Sequence, residues 1–469
     1  MAQQKRNGRV LIVVQNLPVP FDRRVWMECQ TLVAAGYGVS VICPKGPGDP
    51  RYQLLDGVHL HKYRPAPSAS GLFGYALEFV WCWVLTALLS VRVLFREGFD
   101  VLQACNPPDT YWLLALPYKL LGKRFVYDQH DLCPEVYSSR FGGSASPVLL
   151  RGLRLLERAT YLTADHVIST NGSYRLMAMT RGGRAPKDVT VVRSGPDTTR
   201  MRPGPALPSL TQGRHHLVCY LGVMGPQDGV DVLLRSWSVL VNDMGRDDCH
   251  LALLGFGDCY DDLVAQSAAL GLSSSVTFTG RADADTIGAY LSTASVGVCP
   301  DPHSPLNDVS TMNKTMEYMA FGLPVVGFDL QESLVSAGDA AVWVLDDDVR
   351  GFARAVADLL DDPARRRDLG SRARQRAVDV LDWRVQASAY VSVFDRLLHR
   401  PERRLVVLPN TTAAPGRFVA LADRRSDDRL GAHPAAAFVP AQREGGQGAD
   451  RRSRATLVSE PGVVGGVPS

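Results

Sequence analysis

PLNDVSTMNKTMEYMAFGLPVVGF, Pro305 to Phe328, reads as loop, helix, sharp stop and buried strand. Asp308, Ser310 and Thr311 are side chains that suit the N-cap of a helix starting near Met312. Met312, Met316, Met319 and Ala320 fall on one helical face. Gly322 ends the helix, Pro324 cannot continue it, and Pro324 to Phe328 follows as a short strand. Lys314 and Glu317 are three apart and share a face one turn inside the helix. Free amides at a helix start, a lysine and a carboxylate suit a nucleotide. The amides and Lys314 would hold phosphates, and Glu317 would accept from ribose hydroxyls. An amphipathic surface helix with an ordinary Lys–Glu pair is the alternative.

Upstream, a strand–helix series leads to this stretch. His216–Gly222 is a strand, and Gly222 to Gly229 (GVMGPQDG) leads into a helix over Val230–Val241. Such a Gly-rich loop can wrap a diphosphate with backbone amides, although most are turns. Leu251–Gly257, Val276–Gly280 and Val296–Pro300 read as strands, Tyr260–Leu270 and Ala284–Leu291 as helices. Asp283 and Asp285 spell D-x-D at a helix start and read as capping, not metal binding. Ser333–Gly338 and Ala340–Leu345 finish the sheet. Helices follow over Val349–Leu360, Ala364–Ala377 and Trp383–Leu398.

The first half repeats the alternation. Arg9–Gln15, Val39–Pro44, Val58–Tyr63, Val101–Asn106, Arg124–His130, His166–Asn171 and Val189–Arg193 read as strands. Val25–Ala35, Thr110–Leu121, Leu149–Leu162 and Gly172–Met179 read as helices. A dinucleotide-binding dehydrogenase needs G-x-G-x-x-G after its first strand. NLPVPFDRR, Asn16 to Arg24, has no glycine, which argues against NAD. Arg23 and Arg24 face the cleft or decorate a loop end. At the carboxyl end of the fifth strand stand His130, Asp131 and Glu135, placed for chemistry. A polar loop with one solvated histidine, or a metal set, are the alternatives there. Gly195 to Gly213, rich in Pro, Gly and Ser, is a linker.

Leu72–Phe95 is apolar and holds Trp81 and Trp83, but its uninterrupted part is only Phe79–Val91. A helix of that length is about 20 Å, short of a ~30 Å hydrocarbon core. It is read as a buried helix, or as one that dips into one leaflet with Arg92 and Arg96 at the headgroups.

Two consecutive strand–helix series joined by a linker imply an α/β protein of two doubly wound, Rossmann-like domains facing a cleft. The expected division is 1–196, a linker over 197–213, and 214–382. A last helix, 383–399, returns to the first domain, and 400–469 forms a disordered tail rich in Pro, Gly, Ala and Arg. Net charge of +3 over 469 residues suggests no nucleic-acid partner. The 9 cysteines are scattered without C-x-x-C, which fits a reducing cytosol and no zinc framework. The start, MAQQKRNGR, runs into a strand without a signal-peptide core.

NKTMEYMAFGLPVV resembles the donor-binding helix of retaining GT-B glycosyltransferases of family 4 (group 1), where K-x-x-E-Y-M-A-x-G-x-P-V-V is common. PFDRRVWMECQTLVAAGYGVSVICP, FVYDQHDLCPEVY, LLGFGD and VTFTGRADADTIGAYLSTASVGVCP are similar to further segments of that family. The resemblance covers about Arg9 to Arg400. It departs where Val309 replaces the first glutamate of the Glu–seven residues–Glu motif, of which Glu317 is the second. It departs again where Val223 and Gln227 or Asp228 replace a basic pair. The resemblance implies an enzyme that moves a sugar from a nucleotide-activated donor, UDP-sugar before GDP-sugar, to a glycan or lipid-linked acceptor of bacterial polysaccharide type. It implies retention of anomeric configuration, and no metal or other cofactor. Donor-binding residues would be Gly222, Gly225, Gln227, Gly229, Gly257, Arg281, Ser310, Thr311, Lys314 and Glu317. His130 would contact the transferring sugar, with Asp131 and Glu135 orienting it or the acceptor, and Arg23 and Arg24 on the acceptor side. The expected place is the cytoplasm, with peripheral contact on the inner face of the cell membrane through 72–95. A non-catalytic GT-B partner or membrane-docking subunit, a sugar-nucleotide epimerase and a phosphorylase-like enzyme are the rivals.

Overall fold

The computed structural model describes residues 7–66, 71–345, 348–400, 405–407 and 418–420. In the first half, β1 (Arg9–Val13), α1 (Arg23–Ala34), β2 (Gly38–Pro44), β3 (Tyr52–Leu55) and β4 (Val58–Tyr63) lead to α2 (Gly71–Arg96). Then come β5 (Val101–Cys105), α3 (Trp112–Leu120), β6 (Arg124–Gln129), α4 (Cys133–Phe141), α5 (Pro147–Thr163), β7 (His166–Ser169), α6 (Gly172–Thr180) and β8 (Val189–Val191). These strands form one sheet in the order β3-β4-β2-β1-β5-β6-β7-β8. All pairings in it are parallel except β3 on β4 at the edge.

The second half contributes β9 (His216–Leu221), α7 (Val230–Ser238), β10 (Cys249–Leu254), α8 (Tyr260–Ala269), β11 (Val276–Gly280), α9 (Ala284–Thr293) and β12 (Val296–Cys299). It continues with α10 (Asn313–Ala320), β13 (Val325–Phe328), α11 (Gln331–Ala337), β14 (Ala341–Val344), α12 (Val349–Asp361), α13 (Pro363–Arg376) and α14 (Trp383–Leu397). Its sheet is wholly parallel, ordered β11-β10-β9-β12-β13-β14. Chain order reverses direction at β1/β5 in one sheet and at β9/β12 in the other. Ligands bind beyond the carboxyl ends of strands at such switch points.

Side-chain alternation sorts the first sheet's two faces. Val10 and Ile12 of β1 pack with Val25, Cys29 and Leu32 of α1 and with Trp383, Tyr390 and Phe394 of α14. Leu11 and Val13 point the other way, to Cys82 and Val93 of α2, Tyr118 of α3 and Tyr161 of α5. The last helix is thus built into the first sheet's core: Trp383 Nε1 donates to Thr31 Oγ1 at 3.0 Å and the Tyr390 hydroxyl to Gln103 Oε1 at 2.7 Å. The chain crosses over where Trp383 N donates to the Pro196 carbonyl at 3.0 Å.

Several expectations need correction. None of Asp308, Ser310 and Thr311 caps α10; its N-cap is Met312, without a side-chain bond. Those side chains are used elsewhere, Asp308 on His303 Nδ1 at 2.7 Å, Ser310 on the Leu306 carbonyl at 2.7 Å and Thr311 on Asn171 Nδ2 at 3.0 Å. Ser333–Gly338 is not a strand: Ser333 to Ala337 lie in α11, Gly338 is its C-cap, and buried Glu332 in its first turn ties the helix to Ser173 across the molecule. β3 and α4 were not foreseen. α2 has 26 residues, about 39 Å, so length does not rule out a membrane span. One stripe of it, Cys82, Thr86, Ser90 and Val93, is buried against the sheet. The tail expected from 400 onward lies outside the described residues, apart from two short paired strands, β15 (Leu405–Val407) and β16 (Phe418–Ala420).

Candidate active site

α10 presents its two charged side chains to different partners. Lys314 is buried, with Nζ 2.5 Å from Asp301 Oδ1, 3.7 Å from Asp228 Oδ1 and 5.1 Å from the centre of the Tyr220 ring. Burial opposes its charge, but Asp301, Tyr220 and Asp228 outweigh that and hold its pKa well above the ordinary lysine value. Burial pushes the Asp228 carboxyl up, with Lys314 opposing. The second oxygen of Asp301 is buried without a hydrogen-bond partner. Glu317 meets Arg23 of α1 in an ion pair spanning 294 residues of sequence. Arg281 lies 3.9 Å from the Phe256 ring centre and 5.8 Å from that of Phe21 on the opposite lobe.

The Gly-rich loop packs backbone to backbone. A Cβ on Gly257 would meet the Met224 carbonyl oxygen at 2.4 Å, and one on Gly229, at φ +66°, the Pro300 oxygen at 2.0 Å. Gly225 would press on the Gln227 amide at 2.9 Å, and Gly222 on Lys314 Cε at 3.1 Å. The amides of Gly222 and Met224 donate to the carbonyls of Leu254 and Phe256, and that of Gly225 to Asp228. Gly229 and Gly257 are required by loop packing, and those three amides are already engaged.

Across the cleft, Arg24 is the hub of a buried ionic network. Its guanidinium lies 3.0 Å from Asp128 Oδ1 and 3.0 Å from Glu28 Oε1, and Nε donates to His130 Nε2 at 3.1 Å. Asp128 Oδ2 is also 2.9 Å from His130 Nε2, so both ring contacts use one nitrogen. Burial opposes ionisation of Asp128, but Arg24 and His130 outweigh it and hold its carboxyl well below the usual range. Burial, reinforced by Asp128, raises Glu28 well above its ordinary value. Gln103 donates to both carboxylates, at 2.8 and 2.9 Å. Asn106 Oδ1 accepts from the amides of His130 and Asp131 at 2.6 and 3.1 Å and fixes this turn. Burial raises the Asp131 carboxyl. Glu135 is held at 2.8 Å by Arg181. Cys105, Asp128 and His130 are the one group among the described residues with metal-ligand spacing. Arg24 bonds two of the three, so a cation there would face a guanidinium.

Further contacts join the two halves. Asn171, the N-cap of α6, donates to the Val309 carbonyl at 2.8 Å, and the Tyr174 hydroxyl meets Ser310 Oγ at 3.1 Å. Ser173 donates from amide and hydroxyl to Glu332 at 3.0 and 2.7 Å, and Arg140 pairs with Asp258. Sequence reasoning missed Asp128, Glu28, Gln103, Asn106, Asp301 and Asn171. The signals were a charge inside an otherwise apolar strand (Asp128) and an Arg–Glu pair four apart on α1.

The glycosyl transferases group 1 model matches residues 215–362, and the glycosyltransferase family 4 model matches residues 22–200. Glycogen synthase of Mycobacterium tuberculosis is 26% identical over 421 residues, 84% of this chain and 95% of that protein. D-inositol 3-phosphate glycosyltransferase of Thermobispora bispora is 23% identical, covering 70% and 78%. Among solved structures, sucrose-phosphate synthase of Thermosynechococcus elongatus superposes with a TM-score of 0.67 at 19% identity, covering 84% of this chain and 99% of that one. Anabaena HepE in complex with UDP gives 0.61 at 14%, covering 83% and 100%. With family matches over both halves and two parallel sheets around one cleft, the chain belongs to the group 1 (family 4) glycosyltransferases of GT-B fold.

Proposed function

We propose that the chain transfers a sugar from a nucleotide-activated donor, UDP-linked before GDP-linked, to a hydroxyl of a glycan or lipid-linked acceptor, with retention and without a metal. The observation that supports this reading is the ion pair of Glu317 on α10 with Arg23, next to Arg24 of the His130 network, while Lys314 lies buried one turn earlier on α10. Glu317 would take the ribose hydroxyls after Arg23 releases it. Lys314 and the first amides of α10 would meet the diphosphate. The bond between the anomeric carbon and the diphosphate oxygen breaks, the acceptor oxygen bonds to that carbon, and its proton passes to the departing diphosphate. His130, oriented by Asp128 and Arg24, would contact the transferring sugar through its remaining ring nitrogen. UDP is favoured because fold neighbours were crystallised with UDP and with UDP-glucose.

One observation favours a second reading, a non-catalytic GT-B subunit. The lysine needed for phosphate is already met by two carboxylates, Asp301 and Asp228. Thermal shifts with UDP, GDP, ADP and NAD decide between them. Ligand at 100 times its dissociation constant stabilises by about 2.7 kcal/mol. A shift with one nucleoside diphosphate, lost in Glu317→Ala, supports the transferase site, and EDTA should leave turnover intact. No shift with any nucleotide turns the reading to the non-catalytic subunit.

A further inference from the structure

Three helices share the outer side of the first sheet. α2, α3 and α5 all bury residues against the same strands, and they touch one another: Ser90 Oγ and the Tyr118 hydroxyl lie 2.7 Å apart, and Lys119 Nζ donates to the Thr163 carbonyl at 2.8 Å. Their outward sides are apolar. On α2, Leu77, Val80, Val84, Leu88, Val91 and Phe95 are all exposed and recur every three or four positions, one helical stripe. Phe95 is 83% exposed and Leu88 63%. The neighbouring helices continue the surface with Leu116 and Leu120 on α3, and with Val148, Leu155 and Leu162 on α5; Leu120 is 90% exposed. Soluble proteins rarely leave an apolar face of this extent uncovered.

Charge selects what covers it. The three helices carry Arg92, Arg96, Arg151, Arg154 and Arg158, besides a Lys119 paired with Asp165, against only Glu78 and Glu157, and Glu157 is buried. On α5, Arg151 and Arg158 alternate with Val148, Leu155 and Leu162 along one stripe, so cations and apolar side chains reach the same plane. Trp81, on α2, is half-exposed and its indole donates to the Arg64 carbonyl at 3.0 Å. An apolar stripe with interleaved arginines and a tryptophan suits the boundary between acyl chains and anionic headgroups. A two-fold dimer through this face would set the same arginines against one another.

We propose that the α2–α3–α5 face docks the protein, without spanning, onto an anionic lipid bilayer. The surface alone carries this, whichever donor or acceptor the cleft takes. The test is flotation of the full chain with phosphatidylcholine vesicles and with vesicles containing about 30 mol% phosphatidylglycerol. Wild type should float with the anionic vesicles, and Leu88→Glu with Phe95→Glu should lower the bound fraction by roughly tenfold. Arg151→Glu with Arg158→Glu should remove the preference for anionic lipid. All variants keep the same C-terminal tail, so a difference among them reports on this face, and their thermal unfolding checks folding. Wild type that stays in the soluble fraction overturns the proposal, as does equal flotation of the charged variants. A wild-type dimer that Leu88→Glu dissociates, with no vesicle binding, assigns the face to a second copy instead.

Discussion

Glu317 is claimed twice, by Arg23 in the structure and by ribose in the proposed reaction. Arg23 is largely exposed, so its ion pair is worth at most about 1 kcal/mol. Arg23→Ala should therefore tighten nucleoside diphosphate binding by about two- to fivefold, since the carboxylate no longer has to be freed. Calorimetric titration checks this, and weaker binding in Arg23→Ala would show that Arg23 contacts the nucleotide instead. The His130 network makes a separable prediction. Asp128→Asn keeps the shape but leaves Arg24 short of a counter-charge; it should lower turnover by about ten- to a hundredfold, by analogy with groups that orient a catalytic imidazole, with little change in nucleotide affinity. Measuring both constants separates this from general destabilisation, which moves both. Lys314 and Glu317 were legible because helical spacing puts them on one face. Their partners were not: Arg23 is 294 residues from Glu317 in sequence, and Asp301 lies in a loop whose path only the fold determines.

At the scale of elements, the buried parallel strands were legible because each is a short continuous apolar run between turn residues. β3 was not, since YQLL is half exposed at a sheet edge and carries little pattern. α4 was not, since its apolar residues are few and a proline stands in its first turn. α1 starts two residues before the expected Val25 because Asp22 caps it, accepting from Val25 N at 3.1 Å, which places Arg23 and Arg24 on a helix rather than a loop. Gly195 shows a requirement invisible in sequence: a Cβ there would lie 1.7 Å from the Leu381 carbonyl oxygen, under the returning chain. Gly195→Ala should cost about 2–4 kcal/mol in chemical denaturation, because backbone on both sides must shift. β7 carries a pH dependence. Burial, helped by Arg396, lowers His166 to about 4 from 6.5. Above pH 6.5 the imidazole is neutral whether the chain is folded or not, and contributes nothing. Below it the unfolded chain takes up a proton that the folded one refuses, so stability falls as pH falls and the loss is complete near pH 4. The loss is on the order of 2–3 kcal/mol. His166→Gln, which keeps an amide opposite Thr190, should flatten stability between pH 6.5 and 4 in denaturant titrations.

For the whole molecule, the two-lobed architecture followed from the repeated strand–helix alternation and the Pro/Gly-rich linker, but the way the lobes meet did not, because it depends on single polar side chains at the rim. Two kinds of contact hold the lobes together here. Ser173 with Glu332 is buried, near the crossover, whereas Arg140 with Asp258 lies exposed at the mouth of the cleft. A contact that forms when the lobes close stabilises the closed state alone, so its loss shifts the open–closed balance without touching the chemistry. An exposed ion pair is worth about 0.2–1 kcal/mol, and replacing it by like charges reverses the sign. Arg140→Asp should thus lower the closed population by about three- to tenfold, seen as a larger radius of gyration in solution scattering with nucleotide bound. Turnover should fall by a similar factor, while nucleotide affinity, on the proposed donor site of the second lobe, should change less. Combining Arg140→Asp with Asp258→Arg restores the attraction in reverse order and should recover both the compact form and turnover. If the double variant stays expanded, closure is governed by the buried contacts near the crossover and the rim pair is incidental to it.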